Sequence, residues 1–95
     1  MSWHALYAGR RVSAAEAVQV VRSGDCVISG LVEPRGLIAA LAARSDVSDV
    51  TYFTGESFGG IQPLLEARPR FRVVTCFLNP FTQPDYAKGA FEFLP

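Results

Sequence analysis

The sequence predicts an α/β fold in which βαβ units build a mostly parallel sheet. Short segments rich in β-branched and aromatic residues alternate with helical segments, in the order strand, helix, strand, helix, strand, helix, strand. Of the 95 residues, 49% are apolar and 19% are charged, which excludes a disordered tail or a coiled coil. The mean hydropathy of +0.20 is high for so short a chain, since a small domain leaves much of its surface in water. Because strands this apolar usually need cover on both faces, we expect residues 1–95 to be part of a larger α/β protein.

The first predicted helix covers residues 14–23. Ser13 and Glu16 form a capping box, with a hydroxyl at the N-cap and a carboxylate at the third helical position. Gly24 occupies the position where a left-handed residue would close this helix. A short strand over residues 26–29 follows.

The second predicted helix begins at Glu33 and Pro34, with proline in its first position, where the missing N–H costs nothing. Leu37, Ile38 and Leu41 form its apolar stripe. The remaining predicted elements are a strand over 50–54, a glycine-rich turn over 55–60, a short helix over 61–67, a strand over 71–78, a helix over 82–88 that ends at Gly89, and a buried strand over 91–94.

Charge and composition exclude several classes of function. Nine basic residues balance nine acidic ones, so the basic excess typical of nucleic-acid binding is absent. The longest apolar run, residues 37–43, is far shorter than the roughly 20 residues of a membrane span, and the first residues lack a signal-peptide pattern. A single histidine argues against a zinc site, and we predict no metal.

The cysteines and aromatic residues are predicted to belong to the core. Cys26 and Cys76 lie in apolar segments, which is typical of buried thiols in a reducing compartment and favours a cytoplasmic location. Trp3, Tyr7 and the seven phenylalanines are expected to be core residues rather than a stacking platform.

Three loops are candidates for a binding site, because open parallel sheets bind ligands outside the carboxyl ends of their strands. These loops cover residues 30–33, 55–60 and 79–82, and each leads towards a helix N-terminus whose free N–H groups can hold an anion. The alternative is that they are ordinary turns that need glycine and proline for their geometry. Glu33 is accordingly either a site residue or a partner of the helix dipole.

The motif Gly55-Glu56-Ser57-Phe58-Gly59 matches the nucleophile elbow of serine hydrolases, which lies between a strand and a helix. In that fold an acid and then a histidine follow the serine, whereas the single histidine here is His4. A serine hydrolase built on Ser57 is therefore an alternative function, and a non-enzymatic interaction module is another.

A collinear set of segments resembles the acetyl-CoA hydrolase/transferase family, with 4-hydroxybutyrate CoA-transferases as the nearest relatives. The set consists of Trp3 with Leu6-Tyr7, Val12-Ser13-Ala14-Ala15-Glu16-Ala17-Val18, Ser23-Gly24-Asp25-Cys26-Val27, Glu33-Pro34-Arg35-Gly36-Leu37, Ala40-Leu41-Ala42-Ala43-Arg44, Asp49-Val50, Phe71-Arg72, Phe77, Thr82, Gly89 and Phe93 to Pro95. The similarity spans nearly the whole chain, and its order rather than any single motif carries it.

The resemblance implies that residues 1–95 are the N-terminal part of a two-domain CoA-transferase or acyl-CoA hydrolase. In this family a glutamate of the C-terminal half attacks the thioester, so we expect no catalytic residue here and no activity from this chain alone. This chain is expected to form one wall of the acyl-CoA cleft, with the substrate-binding candidates Gly30, Glu33, Pro34, Gly55, Asn79 and Thr82. Coenzyme A then enters as substrate with a small carboxylate, no cofactor is bound covalently, and the expected partners are the C-terminal half and further copies in a homo-oligomer.

Overall fold

A computed structural model describes residues 2–10, 12–30 and 33–94. In chain order the elements are helices α1 (Trp3–Arg10) and α2 (Ala14–Ala17), a 3-10 turn (Val18–Val20), strand β1 (Cys26–Ile28), helix α3 (Arg35–Ala42), strand β2 (Val50–Thr54), helix α4 (Gln62–Glu66), strand β3 (Phe71–Thr75), helix α5 (Gln83–Ala87) and strand β4 (Glu92–Phe93).

The four strands form one sheet in the order β1-β2-β3-β4, and every pair is parallel. Val27 of β1 lies opposite Tyr52 of β2, which in turn lies opposite Val73 of β3. The predicted α/β class with parallel βαβ units is confirmed. Because all four strands are parallel, their carboxyl ends lie at the same edge of the sheet.

The hydrophobic core lies between one face of the sheet and the helices. Val50, Tyr52, Phe71 and Val73 alternate along β2 and β3 and pack against buried side chains of the 3-10 turn, α3 and α4: Val18, Ile38, Leu41, Leu64 and Leu65. On β1 the side chains of Cys26 and Ile28 are exposed and belong to the opposite face of the sheet.

The predicted helix over residues 14–23 is wrong in its second half. The capping box forms, since Ser13 Oγ accepts from Glu16 N at 3.1 Å and donates to a Glu16 carboxylate oxygen at 3.0 Å. The chain then tightens into the 3-10 turn and is extended at Val21. The side chain of Arg44 donates to the carbonyls of Val18 and Val21. These bonds take the place of the backbone hydrogen bonds that the two carbonyls would have accepted in a longer helix.

Gly24 does have a positive φ of 87°, but it lies in the turn before β1 and does not cap a helix. Strand β2 has the predicted bounds, whereas several other elements are shorter than predicted. Pro34 is the N-cap of α3 rather than its first helical residue, β3 ends at Thr75 rather than at residue 78, and β4 has two residues.

Several residues expected in the core are exposed. Cys26 is exposed and Cys76 half-buried, because β1 turns the Cys26 side chain away from the helix-covered face. Trp3 and Tyr7 are exposed on α1, a helix that the sequence pattern did not predict. Three phenylalanines, Phe58, Phe77 and Phe81, are also exposed, whereas Phe71 and Phe91 are buried as predicted. The last strand is not buried throughout either, since Glu92 and Leu94 are exposed.

Candidate functional site

The carboxyl edge of the sheet carries the candidate site, where the chain leaves β1, β2 and β3. The segment over residues 55–60, which follows β2, lies between the other two. Side chains from the β1 loop and from the β3 loop both hydrogen-bond to this central segment. The three loops are therefore joined into one polar layer above the strands.

Glu33 connects the β1 loop to the central segment. Its carboxylate accepts from Ser57 Oγ at 2.7 Å through Oε2 and from the backbone N–H of Phe58 at 2.6 Å through Oε1. The side chain is only 7% exposed. Hydrogen bonds to a buried carboxylate are short and strong, so Glu33 fixes the position of the central segment.

Arg35 strengthens the same connection from the solvent side. Its Nη2 lies 3.7 Å from Glu33 Oε1 and donates to the carbonyl of Phe58 at 3.0 Å. The backbone of Phe58 is thus held through its N–H by Glu33 and through its carbonyl by Arg35. This double attachment fixes the direction in which the Phe58 side chain leaves the loop.

Gly60 gives the Glu33 carboxylate its space. A Cβ built on Gly60 would collide with Glu33 Oε2 and come close to the side chain of Arg35. A methyl group here would displace the Glu33 carboxylate and so disturb its hydrogen bonds to Ser57 and Phe58.

Asn79 connects the β3 loop to the central segment. Its Nδ2 donates to Glu56 Oε2 at 3.0 Å and to the carbonyl of Ser57 at 2.8 Å. Its Oδ1 accepts from the N–H groups of Phe81 at 2.9 Å and Thr82 at 3.2 Å. A single side-chain amide therefore sets both the position and the internal turn of the β3 loop.

An aromatic pair lies on top of this polar layer. The rings of Phe58 and Phe81 meet edge to face, with 6.0 Å between their centroids. Phe58 is 47% exposed and Phe81 is 64% exposed. Exposed aromatic side chains on loops fixed by buried polar groups are typical of a binding surface.

The structure brings most of the predicted binding residues to this edge but gives them internal partners. Glu33 and Asn79 are hydrogen-bonded within the loops, Thr82 is buried beside Asn79, and the carbonyl of Gly55 accepts from Cys76 and Phe77. Pro34 is half-buried at the start of α3, and Gly30 is exposed where β1 has ended. The side chains accessible at this edge include Phe58, Phe77, Phe81 and Arg35, none of which was among the predicted binding residues.

Ser57 does not have the geometry of a nucleophile elbow. The residue is 0% exposed, and its hydroxyl donates to Glu33 rather than to a histidine. Among the described non-glycine residues only Asp49 has a positive φ, so the backbone at Ser57 lacks the strained turn that an elbow requires.

Tyr52 is the buried titratable group beneath this edge. Burial raises the pKa of its phenol, the negative charge of Glu33 adds to the rise, and the nearby Ser29 hydroxyl partly opposes it. The phenol is therefore a neutral hydroxyl at physiological pH. Among residues 2–10, 12–30 and 33–94, no three His, Cys, Asp or Glu side chains lie close enough together to hold a metal ion.

No protein-family model matches the chain, and no curated protein matches it. The chain is similar over its full length to solved structures of two point mutants of RipA, each at 23% sequence identity. The TM-scores are 0.76 and 0.74, and the aligned region covers 25% of the RipA chain in both cases. This likeness supports the α/β fold, and the chain spans about a quarter of the length of these solved chains. Within the described part of the chain, no helix has the length and apolar character needed to cross a bilayer.

Proposed function

We propose that this chain forms one wall of an acyl-CoA cleft in a CoA-transferase or acyl-CoA hydrolase, with the reactive glutamate in a part of the protein outside this chain. The proposal rests on the resemblance of the collinear segments and on one structural observation. That observation is the layer of three loops at the carboxyl edge, fixed by Glu33 and Asn79, with the Phe58 and Phe81 rings exposed above it.

Three of the five glutamates of this chain already have other roles. Glu33 is buried and accepts two hydrogen bonds, Glu56 accepts from Asn79, and Glu92 pairs with Arg72 at 2.6 Å. Covalent catalysis needs an accessible carboxylate that can attack a thioester carbonyl. A glutamate from elsewhere in the protein, facing the loop layer, would supply that carboxylate.

The loop layer supports the part of a cleft that binds rather than reacts. Fixed loops cost little ordering entropy when a substrate arrives, which improves binding. The exposed rings offer apolar contact to an acyl or pantetheine chain. The binding energy from this contact would help to lower the barrier for reaction at the thioester. Arg35, exposed beside Phe58, offers a positive charge to a carboxylate or phosphate group.

An exchange assay tests this proposal. The full-length protein is incubated with acetyl-CoA and butyrate, and the formation of butyryl-CoA and of free CoA is followed. We expect turnover by the full-length protein and none by the 95-residue chain alone. Exchange by the isolated chain would contradict the assigned role, and so would absence of both transfer and hydrolysis in the full-length protein.

Changing both exposed rings separates binding from chemistry. The double variant Phe58→Ala with Phe81→Ala should raise the KM for acyl-CoA about 30-fold, since each of the two aromatic contacts is worth about 1 kcal/mol. Tyr7→Ala removes an exposed aromatic ring from α1 and serves as the matched control. An unchanged KM in the double variant would show that the aromatic pair does not contact acyl-CoA.

The serine hydrolase alternative is tested with a fluorophosphonate probe. Because the Ser57 hydroxyl is buried and donates to Glu33, we expect no labelling that depends on Ser57. Labelling that disappears in Ser57→Ala would reverse the ranking of the two functions.

The proposed partners are the C-terminal half, acyl-CoA with a small carboxylate, and further copies in a homo-oligomer, in the cytoplasm. The interaction-module alternative places the binding surface at the sheet edges, where β1 and β4 each pair on one side only within the described residues. The isolated chain should therefore self-associate. A stable, monodisperse monomer would argue against both a dependent segment and an obligate partner.

A further inference from the structure

A groove separate from the loop layer lies on the helix-covered face of the sheet. It runs between β1 and the two helical segments that pack beside it, and Pro34 is one of its lining residues. Val18, Leu37 and Ile38 line its helical side, and Val27, Ser29 and Tyr52 line its sheet side. Its volume is about 190 Å³, and it is partly open to solvent.

Two buried hydroxyls lie in this otherwise apolar groove. Tyr52 is only 3% exposed, and neither its Oη nor the Oγ of Ser29 has a partner within hydrogen-bonding distance among the described residues, although Ser29 lies near enough to lower the pKa of the phenol. A buried hydroxyl without a partner costs free energy, and the cost disappears when a ligand supplies one. An apolar groove with a few convergent polar groups is the usual form of a small-molecule site.

The groove favours an uncharged ligand. None of the described residues that line it is charged, so a carboxylate would enter without a positive partner. The negative charge of Glu33 lies close enough to Tyr52 to raise the pKa of the phenol, and it would repel an anion in the same place. The phenol remains protonated and can donate to an acceptor oxygen.

The size of the groove sets the size of the ligand. An apolar protein cavity of about 150 Å³ accommodates benzene, so this groove accommodates about six or seven non-hydrogen atoms. That size fits a straight aliphatic chain of about five carbons with one oxygen.

We propose that this groove binds a short, uncharged aliphatic group that carries one carbonyl oxygen, with the oxygen accepting from the hydroxyls of Tyr52 and Ser29. The chain of the ligand lies among Val18, Leu37 and Ile38. The inference stands apart from the proposed CoA chemistry, because it rests on groups beneath the loop layer and predicts binding without turnover.

Direct binding of a neutral ketone tests the proposal on the purified protein. Pentan-2-one is titrated by saturation-transfer difference NMR, with butyrate as a charged probe of similar size. We expect saturable binding of pentan-2-one and binding of butyrate at least tenfold weaker. No saturable signal from the ketone would overturn the proposal, and it is the result expected if only water or a side chain of another molecule fills the groove. Equal binding of butyrate would overturn it as well.

Two variants locate the ketone. Tyr52→Phe removes the donor and should weaken binding about fivefold, the equivalent of one neutral hydrogen bond. Tyr86→Phe makes the same chemical change on α5, outside the groove, and should leave binding unchanged. Leu37→Trp fills the groove from a half-exposed position and should abolish binding, while Leu94→Trp at another exposed position should not. Unchanged binding in both Tyr52→Phe and Leu37→Trp would overturn the assignment.

Discussion

The two edges of the sheet use their polar side chains in different ways. At the amino edge, Arg44 donates to the carbonyls of Val18 and Val21, and Arg70 donates to the carbonyls of Arg44 and Ala42. Arg70 also lies over the buried ring of Phe71, with its guanidinium carbon 5.3 Å from the ring centroid. At this edge cations close the ends of helical segments, and the aromatic ring is inside.

At the carboxyl edge the side chains accept hydrogen bonds as well as donate them. Glu33 and Asn79 supply acceptor oxygens to the N–H groups of Phe58, Phe81 and Thr82, and the aromatic rings point outward. The amino edge therefore completes the fold, whereas the carboxyl edge holds side chains in position outside it. This difference is the physical basis for placing the binding surface at the carboxyl edge.

The largest effect is expected from Glu33→Ala. Loss of the carboxylate leaves the Ser57 hydroxyl and the Phe58 N–H without their acceptor, so we expect unfolding free energy to fall by about 3 kcal/mol. Denaturant unfolding measures this loss. Glu66→Ala, an exposed carboxylate on α4, should change stability by less than about 0.5 kcal/mol. Equal effects of the two substitutions would mean that Glu33 does not hold the loop layer together.

A pair of glycine substitutions should have opposite signs. Gly60→Ala forces a methyl group against the Glu33 carboxylate and should destabilise the protein by about 2 kcal/mol. Gly36→Ala lies within α3 with open space around the new methyl group, and should stabilise it by about 0.5 to 1 kcal/mol. Thermal unfolding of both variants gives the comparison. A tolerated Gly60→Ala would show that the carboxylate does not lie against this backbone.

Tyr52→Phe should stabilise the protein that has no ligand bound. The substitution removes a buried hydroxyl that has no partner among the described residues, which is worth about 1 kcal/mol. Tyr86→Phe, at a partly exposed position, provides the control and should have no measurable effect. Destabilisation by Tyr52→Phe would indicate that the hydroxyl has a partner in the native state.

The smallest effect concerns pH and belongs to the amino edge. Hydrogen bonding from Arg44 holds the pKa of the Asp46 carboxyl below its usual range. The folded state therefore binds the proton more weakly than the unfolded state does, so this contribution is present at neutral pH and is lost as the pH falls through the folded pKa. Asp46→Asn should flatten the acid side of the stability curve slightly, because the Asp46 side chain is 67% exposed to solvent. If the pH dependence of the unfolding free energy below neutral pH is unchanged, the Arg44–Asp46 pair does not contribute to stability.

The local signals in the sequence were sufficient for the fold class and for most elements. The capping box at Ser13, the early prolines of α4 and α5 and the positive φ of Gly89 all act within one turn of the chain, so they are readable without the tertiary structure. The prediction of a helix over residues 14–23 was wrong in its second half because Arg44, which is distant in sequence, donates hydrogen bonds to the carbonyls of Val18 and Val21.

The candidate site was predictable in place but not in detail. Glycine, proline and polar residues after each strand marked the three loops, since parallel strands end at one edge. Whether Glu33 faces solvent or accepts from Ser57 depends on how two loops separated by β2 meet, which no local pattern contains. The exposure of Phe58 and Phe81 is equally a tertiary property, because an apolar residue in a loop is ordinarily expected in the core.

Photoaffinity labelling of the full-length protein tests the central claim most directly. An acyl-CoA with a diazirine in its acyl chain is irradiated with the protein, and the labelled peptides are identified by mass spectrometry. Labels within residues 55–60 and 79–82, competed by unmodified acyl-CoA, are the predicted result. Labels at the amino edge around Arg44 and Arg70, or no competed label within this chain, would contradict the account.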